Sequence, residues 1–119
     1  MRDLGVSRQF YEASLGALGR EVSGGDGYFQ SDELFVSDDG APTQNMHIAF
    51  QADGPEAVAR FYEAALAAGG RDNGGPGERP YHPGYYSAFV LDPDGNNIEA
   101  VFHGPVRRSA PSVVLTPLD

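Results

Sequence analysis

Two stretches of this chain are near copies of one another at an offset of 51 residues, and no other feature restricts the fold so tightly. Residues 7–19 read SRQFYEASLGALG and residues 58–70 read VARFYEAALAAGG, with seven of thirteen positions identical. Burying one helical face demands Phe10, Leu15, Phe61 and Leu66 at their spacing. It does not demand Tyr11, Glu12, Tyr62 or Glu63, so the match exceeds amphipathicity. Helices are therefore predicted over residues 7–18 and from Asp53 to about residue 68, each followed by glycine where a C-terminal cap belongs. For the second helix Asp53 is the expected capping carboxylate, with Pro55 in the first turn and Glu56 at box-like spacing.

The second helix follows a predicted strand at 46–51, in which Met46, Ile48 and Phe50 alternate with His47, Ala49 and Gln51. Shifting that strand back by 51 residues places its counterpart at positions −5 to 0, so the first repeat unit is expected to lack its leading strand. A weak strand signal at 27–30 precedes a better one at 33–37, then a loop over 38–45. Residues 71–84, rich in Gly and Pro, read as one long loop of the kind that is often functional. Beyond it, strands at 87–91 and 97–102 are joined by Asp92-Pro93-Asp94-Gly95, whose residue types suit a tight hairpin turn. Alternation in the second of these puts Ile98, Ala100 and Phe102 on one face and Asn97, Glu99 and Val101 on the other. Glu99 is thus a lone mid-strand carboxylate among apolar neighbours, where an unpaired charge is costly. A β-branched run at 112–116 reads as an extra strand.

At 119 residues the chain suits one domain with a sizeable core. The absence of cysteine excludes disulfides, thiolate metal sites and thiol nucleophiles. No apolar run approaches membrane-spanning length and the N-terminus lacks a signal-peptide core, so no membrane partner and a cytoplasmic location are expected. Eight basic residues, all Arg, face seventeen acids, and the formal charge of −9 argues against nucleic acid while mildly favouring cationic ligands. Arg without Lys, beside abundant Ala and Gly, suggests a high-GC bacterial source.

Several strings carry a family resemblance. They are Arg2-Asp3-Leu4 ahead of Ser7-Arg8-Gln9-Phe10-Tyr11-Glu12, then His47-Ile48-Ala49-Phe50, then Ala67-Ala68-Gly69-Gly70-Arg71-Asp72-Asn73-Gly74. Above all, His82-Pro83-Gly84-Tyr85-Tyr86 is followed by FVLDPDGNNIEAV over residues 89–101. Together they resemble the vicinal oxygen chelate superfamily of glyoxalases, bleomycin-resistance proteins and extradiol dioxygenases. The resemblance implies an α+β fold of paired βαβββ modules forming an open, cup-shaped mixed sheet. It implies one domain over 1–119, with a truncated first module at 1–45, a second at 46–103 and a tail from 104.

The resemblance also implies a divalent metal ion, zinc, nickel, manganese or iron, held from the first and last strands of each module. Carried over residue by residue, it assigns His47 and Glu99 from the second module and, from the first, Glu33 as the candidate or, one residue on, the position of Leu34. An imidazole and a carboxylate on cup-facing positions independently suit such an ion, and open positions suit Lewis-acid work. His82 and Tyr86, at the entry to the hairpin, are the candidate catalytic groups, and Tyr85, Arg71 and Phe35 the candidate substrate contacts. A packed turn accounts equally well for His82, Tyr85 and Tyr86. The expected partners are a small-molecule ligand and a second copy in a homodimer.

Two functions follow from the resemblance. One is a metal-dependent lyase, isomerase or dioxygenase acting on a small oxygen-chelating metabolite, and the other is metal-free capture of a drug or small molecule. The missing strand has three accounts. A start codon chosen too late is one, a slot that stays open or becomes part of a dimer surface is another, and filling by 112–116 of the same or a partner chain is the third. Filling or dimer exchange is preferred.

Overall fold

The helices form where the repeat places them, and a computed structural model, which describes residues 2–104, shows what each copy anchors. Helix α1 spans Leu4–Ala17, beginning three residues before the periodic pattern because the Asp3 carboxylate accepts the Val6 N–H at 3.1 Å. Helix α2 spans Pro55–Ala67 with Pro55 opening it. Its N-cap is Gly54 and no side chain caps it, which corrects the expectation of a capping Asp53. The repeated tyrosines, which burial did not require, tie each helix to an aspartate. Tyr11 donates to Asp92 at 2.5 Å and Tyr62 to Asp72 at 3.0 Å.

Strands β1 (Ser23–Gly25), β2 (Tyr28–Ser31) and β3 (Leu34–Ser37) make an antiparallel sheet in that order. A second sheet has the order β4-β8-β7-β5, from β4 (His47–Gln51), β8 (Asn97–Phe102), β7 (Tyr86–Leu91) and β5 (Arg71–Asp72). Strand β6 (Gly77–Glu78) also pairs with β7. Strand β4 runs parallel to β8, and the other pairs are antiparallel. The fold is α+β. The segment expected to be one loop over 71–84 thus contains β5 and β6, each two residues long and too short to show a period. The run at 112–116 lies outside the described residues.

Phe10 and Leu15 of α1, Val58, Phe61 and Ala65 of α2, and Val90, Ile98 and Ala100 of the second sheet are fully buried together. Gly70 lets this layer close, since a Cβ there would lie 2.5 Å from Val90 Cγ1 and 2.6 Å from Phe10 Cε2. The β7–β8 turn closes with Gly95 N–H on the Asp92 carbonyl at 3.0 Å and Gly95 at φ +89°. Asp92 itself is buried. Its Oδ1 accepts the N–H groups of Asp94 and Asn96 at 2.9 and 2.8 Å, and its Oδ2 accepts Tyr11 and Asn96 Nδ2 at 2.5 and 3.1 Å. Asn96 reaches onward, donating to the Thr43 carbonyl at 2.9 Å and accepting the Met46 N–H at 3.0 Å.

Burial first, and the Asp92 charge second, push the Tyr11 phenol well above the ordinary tyrosine range. Because the folded value is raised, this stabilisation is complete below the unfolded value of about 10 and is lost as pH climbs beyond it. Tyr11→Phe is expected to cost about 1.5–3 kcal/mol at neutral pH, because a buried carboxylate loses a donor. Urea unfolding checks this, and the alkaline loss of stability should be shallower in the variant than in the parent.

Candidate functional site

The two faces of the second sheet divide by alternation. Ala88, Val90, Ile98 and Ala100 are buried among the core residues. The opposite face carries His47, Ala49 and Gln51 from β4, Asn97, Glu99 and Val101 from β8, and Ser87, Phe89 and Leu91 from β7. In register, Glu99 lies between Ala49 and Phe89.

Glu99 is only 2% exposed, yet its carboxylate is the centre of this face. Its Oε1 lies 2.8 Å from His47 Nε2 and its Oε2 accepts the Tyr85 hydroxyl at 2.5 Å. A carboxylate oxygen accepts, so the imidazole proton sits on Nε2, and Nδ1 has no hydrogen bond among the described residues. The His47 side chain is 53% exposed. A buried acid therefore orients an open base. Burial, the hydrogen bond to Glu99 and its charge hold the Tyr85 phenol well above its usual range, so it remains a donor. Beside them, the Phe89 ring is 5.9 Å from that of His47, and the Arg79 guanidinium lies 5.4 Å from the centre of Phe89. Asn73 donates to Asn97 at 3.1 Å.

A collar of rings steadies Tyr85. His82 and Tyr81 meet it edge-on at 5.1 and 4.9 Å, and His103 at 5.3 Å. His82 Nδ1 is 3.0 Å from the Pro83 carbonyl, which only accepts, so Nδ1 is the donor; in neutral His82, Nε2 then accepts from His103 Nδ1 at 3.1 Å.

The structure thus brings together His47, Glu99 and Tyr85, with His82 one ring away. Tyr86 points to the other face and packs against the core. Arg71 is exposed on β5, opposite Leu91. Its neighbour Asp72 is held below the usual carboxylate range by the Gly74 N–H and then by Tyr62. Glu33 lies in the turn between β2 and β3, and Phe35, on β3, is 62% exposed and stacks on Tyr28 at 5.5 Å. Both belong to the other sheet. Sequence reasoning missed Phe89 and Arg79. The hairpin held the signal for Phe89, because alternation outward from the turn sets it across from Glu99.

A tight divalent site takes about three protein donors. Among the described residues no three of His, Cys, Asp or Glu converge, so His47 and Glu99 alone do not complete one.

Residues 1–100 match the model of the Glyoxalase/Bleomycin resistance protein/Dioxygenase superfamily. A glyoxalase/bleomycin resistance protein from Albidiferax ferrireducens T118 superposes with a TM-score of 0.75 at 31% identity, over 85% of this chain and 91% of that one. A glyoxalase-related enzyme from Fulvimarina pelagi gives a TM-score of 0.71 at 22% identity, over 100% and 93%. A lactoylglutathione lyase from Agrobacterium tumefaciens gives 0.58 at 19%, over 86% and 87%, a likeness of fold alone. No curated protein matches the sequence.

Tyr85→Phe would leave a buried carboxylate oxygen unpaired, and about 1.5–3 kcal/mol of stability should go with it. Alkaline absorbance titration reads the same residue directly. The variant should lack one of the phenols that ionise late, and loss of a phenol titrating near pH 10 instead would contradict the assignment.

Proposed function

This chain belongs to the Glyoxalase/Bleomycin resistance protein/Dioxygenase superfamily, and from that premise we propose that its His47–Glu99–Tyr85 face binds a small oxygenated metabolite and moves a proton on it. One observation carries the reading, the 2.8 Å bond between an open imidazole and a buried carboxylate. With Nε2 held by Glu99, His47 presents Nδ1 as the proton acceptor. Glu99 offsets the positive charge that develops on the ring as the proton arrives. Tyr85 occupies the second carboxylate oxygen and keeps it from turning away. Phe89 and Arg79 supply a flat wall with a cation behind it, and Asn73 with Asn97 supplies a polar rim. The reaction class is proton transfer beside a carbonyl, which is lyase or isomerase chemistry.

No step is assigned to zinc, nickel, manganese or iron, because the donor count does not support a resident ion held by these residues alone. The formal charge of −9 supports a second reading, capture of a cationic ligand without chemistry.

The test uses protein purified without metal columns, assayed for bound metal and then for solvent deuterium uptake into a panel of α-hydroxycarbonyl compounds. Uptake should persist in metal-free protein and fall about 100-fold or more in His47→Asn. A stoichiometric ion whose removal abolishes uptake would move the chemistry to a metal. Binding of cationic compounds without any uptake would favour capture.

A further inference from the structure

Two sheet edges in this molecule face each other with nothing between them among the described residues. Strand β3 ends the first sheet and β4 ends the second, so each has an unpaired side. They border one groove. Leu34, Val36 and Ser37 line part of it together with Met46 and Ile48, and Glu33 and Leu34 line another part with Ile48 and Phe50. Strands β3 and β4 therefore run in opposite directions across the gap. Its floor is apolar, since Leu34, Val36, Ile48 and Phe50 all pack against the core. Its lips expose Phe35 at 62% and Met46 at 41%, unusual for side chains of that size.

Two residues that line this groove each carry a buried side-chain atom without a hydrogen-bond partner. Asp94, 7% exposed, has an unpaired acceptor, Oδ2, at the Met46 end. Arg20 has an unpaired donor, Nε, at the Phe50 end. The internal repeat gives the direction. In the second unit the strand ahead of the helix lies parallel to the unit's last strand, as β4 does to β8. The corresponding place in the first unit is beside β3, which is this groove.

We infer that the groove is a strand slot and that its occupant is the chain's own segment 112–116, Ser-Val-Val-Leu-Thr, bound in cis. Length allows it. Seven residues separate Gly104 from Ser112 and reach at most about 25 Å. Passing from β8 over the end of β4 into the slot is two strand spacings, about 10 Å. Direction allows it as well. A chain leaving the far end of β8 must double back, which makes it antiparallel to β4 and hence parallel to β3, as the repeat requires. Period-two alternation then sets Val113 and Leu115 on the apolar floor and leaves Ser112, Val114 and Thr116 outward.

The natural absence of cysteine makes the test clean. In the full chain, Phe35→Cys with Val114→Cys should form a disulfide within one chain on mild oxidation, seen as cross-linked peptides at monomer mass. In the unaltered full chain, the outward amides of β3 and β4 should exchange about tenfold or more slowly than those of exposed loops. Cross-links found only between chains would assign the slot to a second copy and overturn binding in cis. Fast exchange at both edges would overturn the slot altogether, and slow exchange without the link would assign it to another occupant.

Discussion

Four hydrogen bonds converge on the buried Asp92 carboxylate, and the placement of the site depends on them. Tyr11 brings α1 to the hairpin turn, and the turn's own N–H groups fix its shape. Asn96, bonded to the same carboxylate, holds Met46, the residue just before β4. The Met46 carbonyl then accepts the Asn97 N–H at 2.7 Å, which starts the parallel ladder of β4 on β8. A slip of one residue there would turn His47 away from the face of Glu99. The first unit's helix and the second unit's polar centre are thus joined through one acidic turn.

Asp92 and Glu99 are both buried carboxylates, and burying a charge costs several kcal/mol unless it is well paired. They meet that cost differently. Asp92 is surrounded by donors from its own turn and from α1, so it has no capacity left for a ligand. Glu99 is met by one phenol and by one imidazole that is itself half in solvent. The first arrangement is complete, and the second leads outward through His47. This contrast separates a carboxylate enclosed by the fold from one whose partner reaches solvent.

Much of this was legible in the sequence, and the exceptions have physical causes. The offset repeat located both helices, and alternation assigned the faces of β8, including the isolated Glu99. The start of α1 was hidden because Asp3 acts through a single backbone hydrogen bond, which leaves no period. Strands β5 and β6 exist only as short pairings to β7, so they had no pattern of their own. Extending the alternation of β7 backward through Ser87 reaches Tyr85, which is the tyrosine that meets Glu99, whereas Tyr86 falls on the core side. The approach of His47 to Glu99 was not readable locally, because that parallel register is set across a helix and a hairpin by Asn96. Glu33 and Phe35 sit on a different sheet, and only tertiary structure separates them from the Glu99 face.

The most direct measurement is a long-range proton–nitrogen correlation spectrum of the three imidazoles, taken on the parent and on Glu99→Ala. The account predicts that His47 in the parent carries its proton on Nε2, in a hydrogen bond that the substitution abolishes, while the signals of His82 and His103 stay where they were. A His47 spectrum that is the same in both proteins would contradict the claim that the buried Glu99 organises this site.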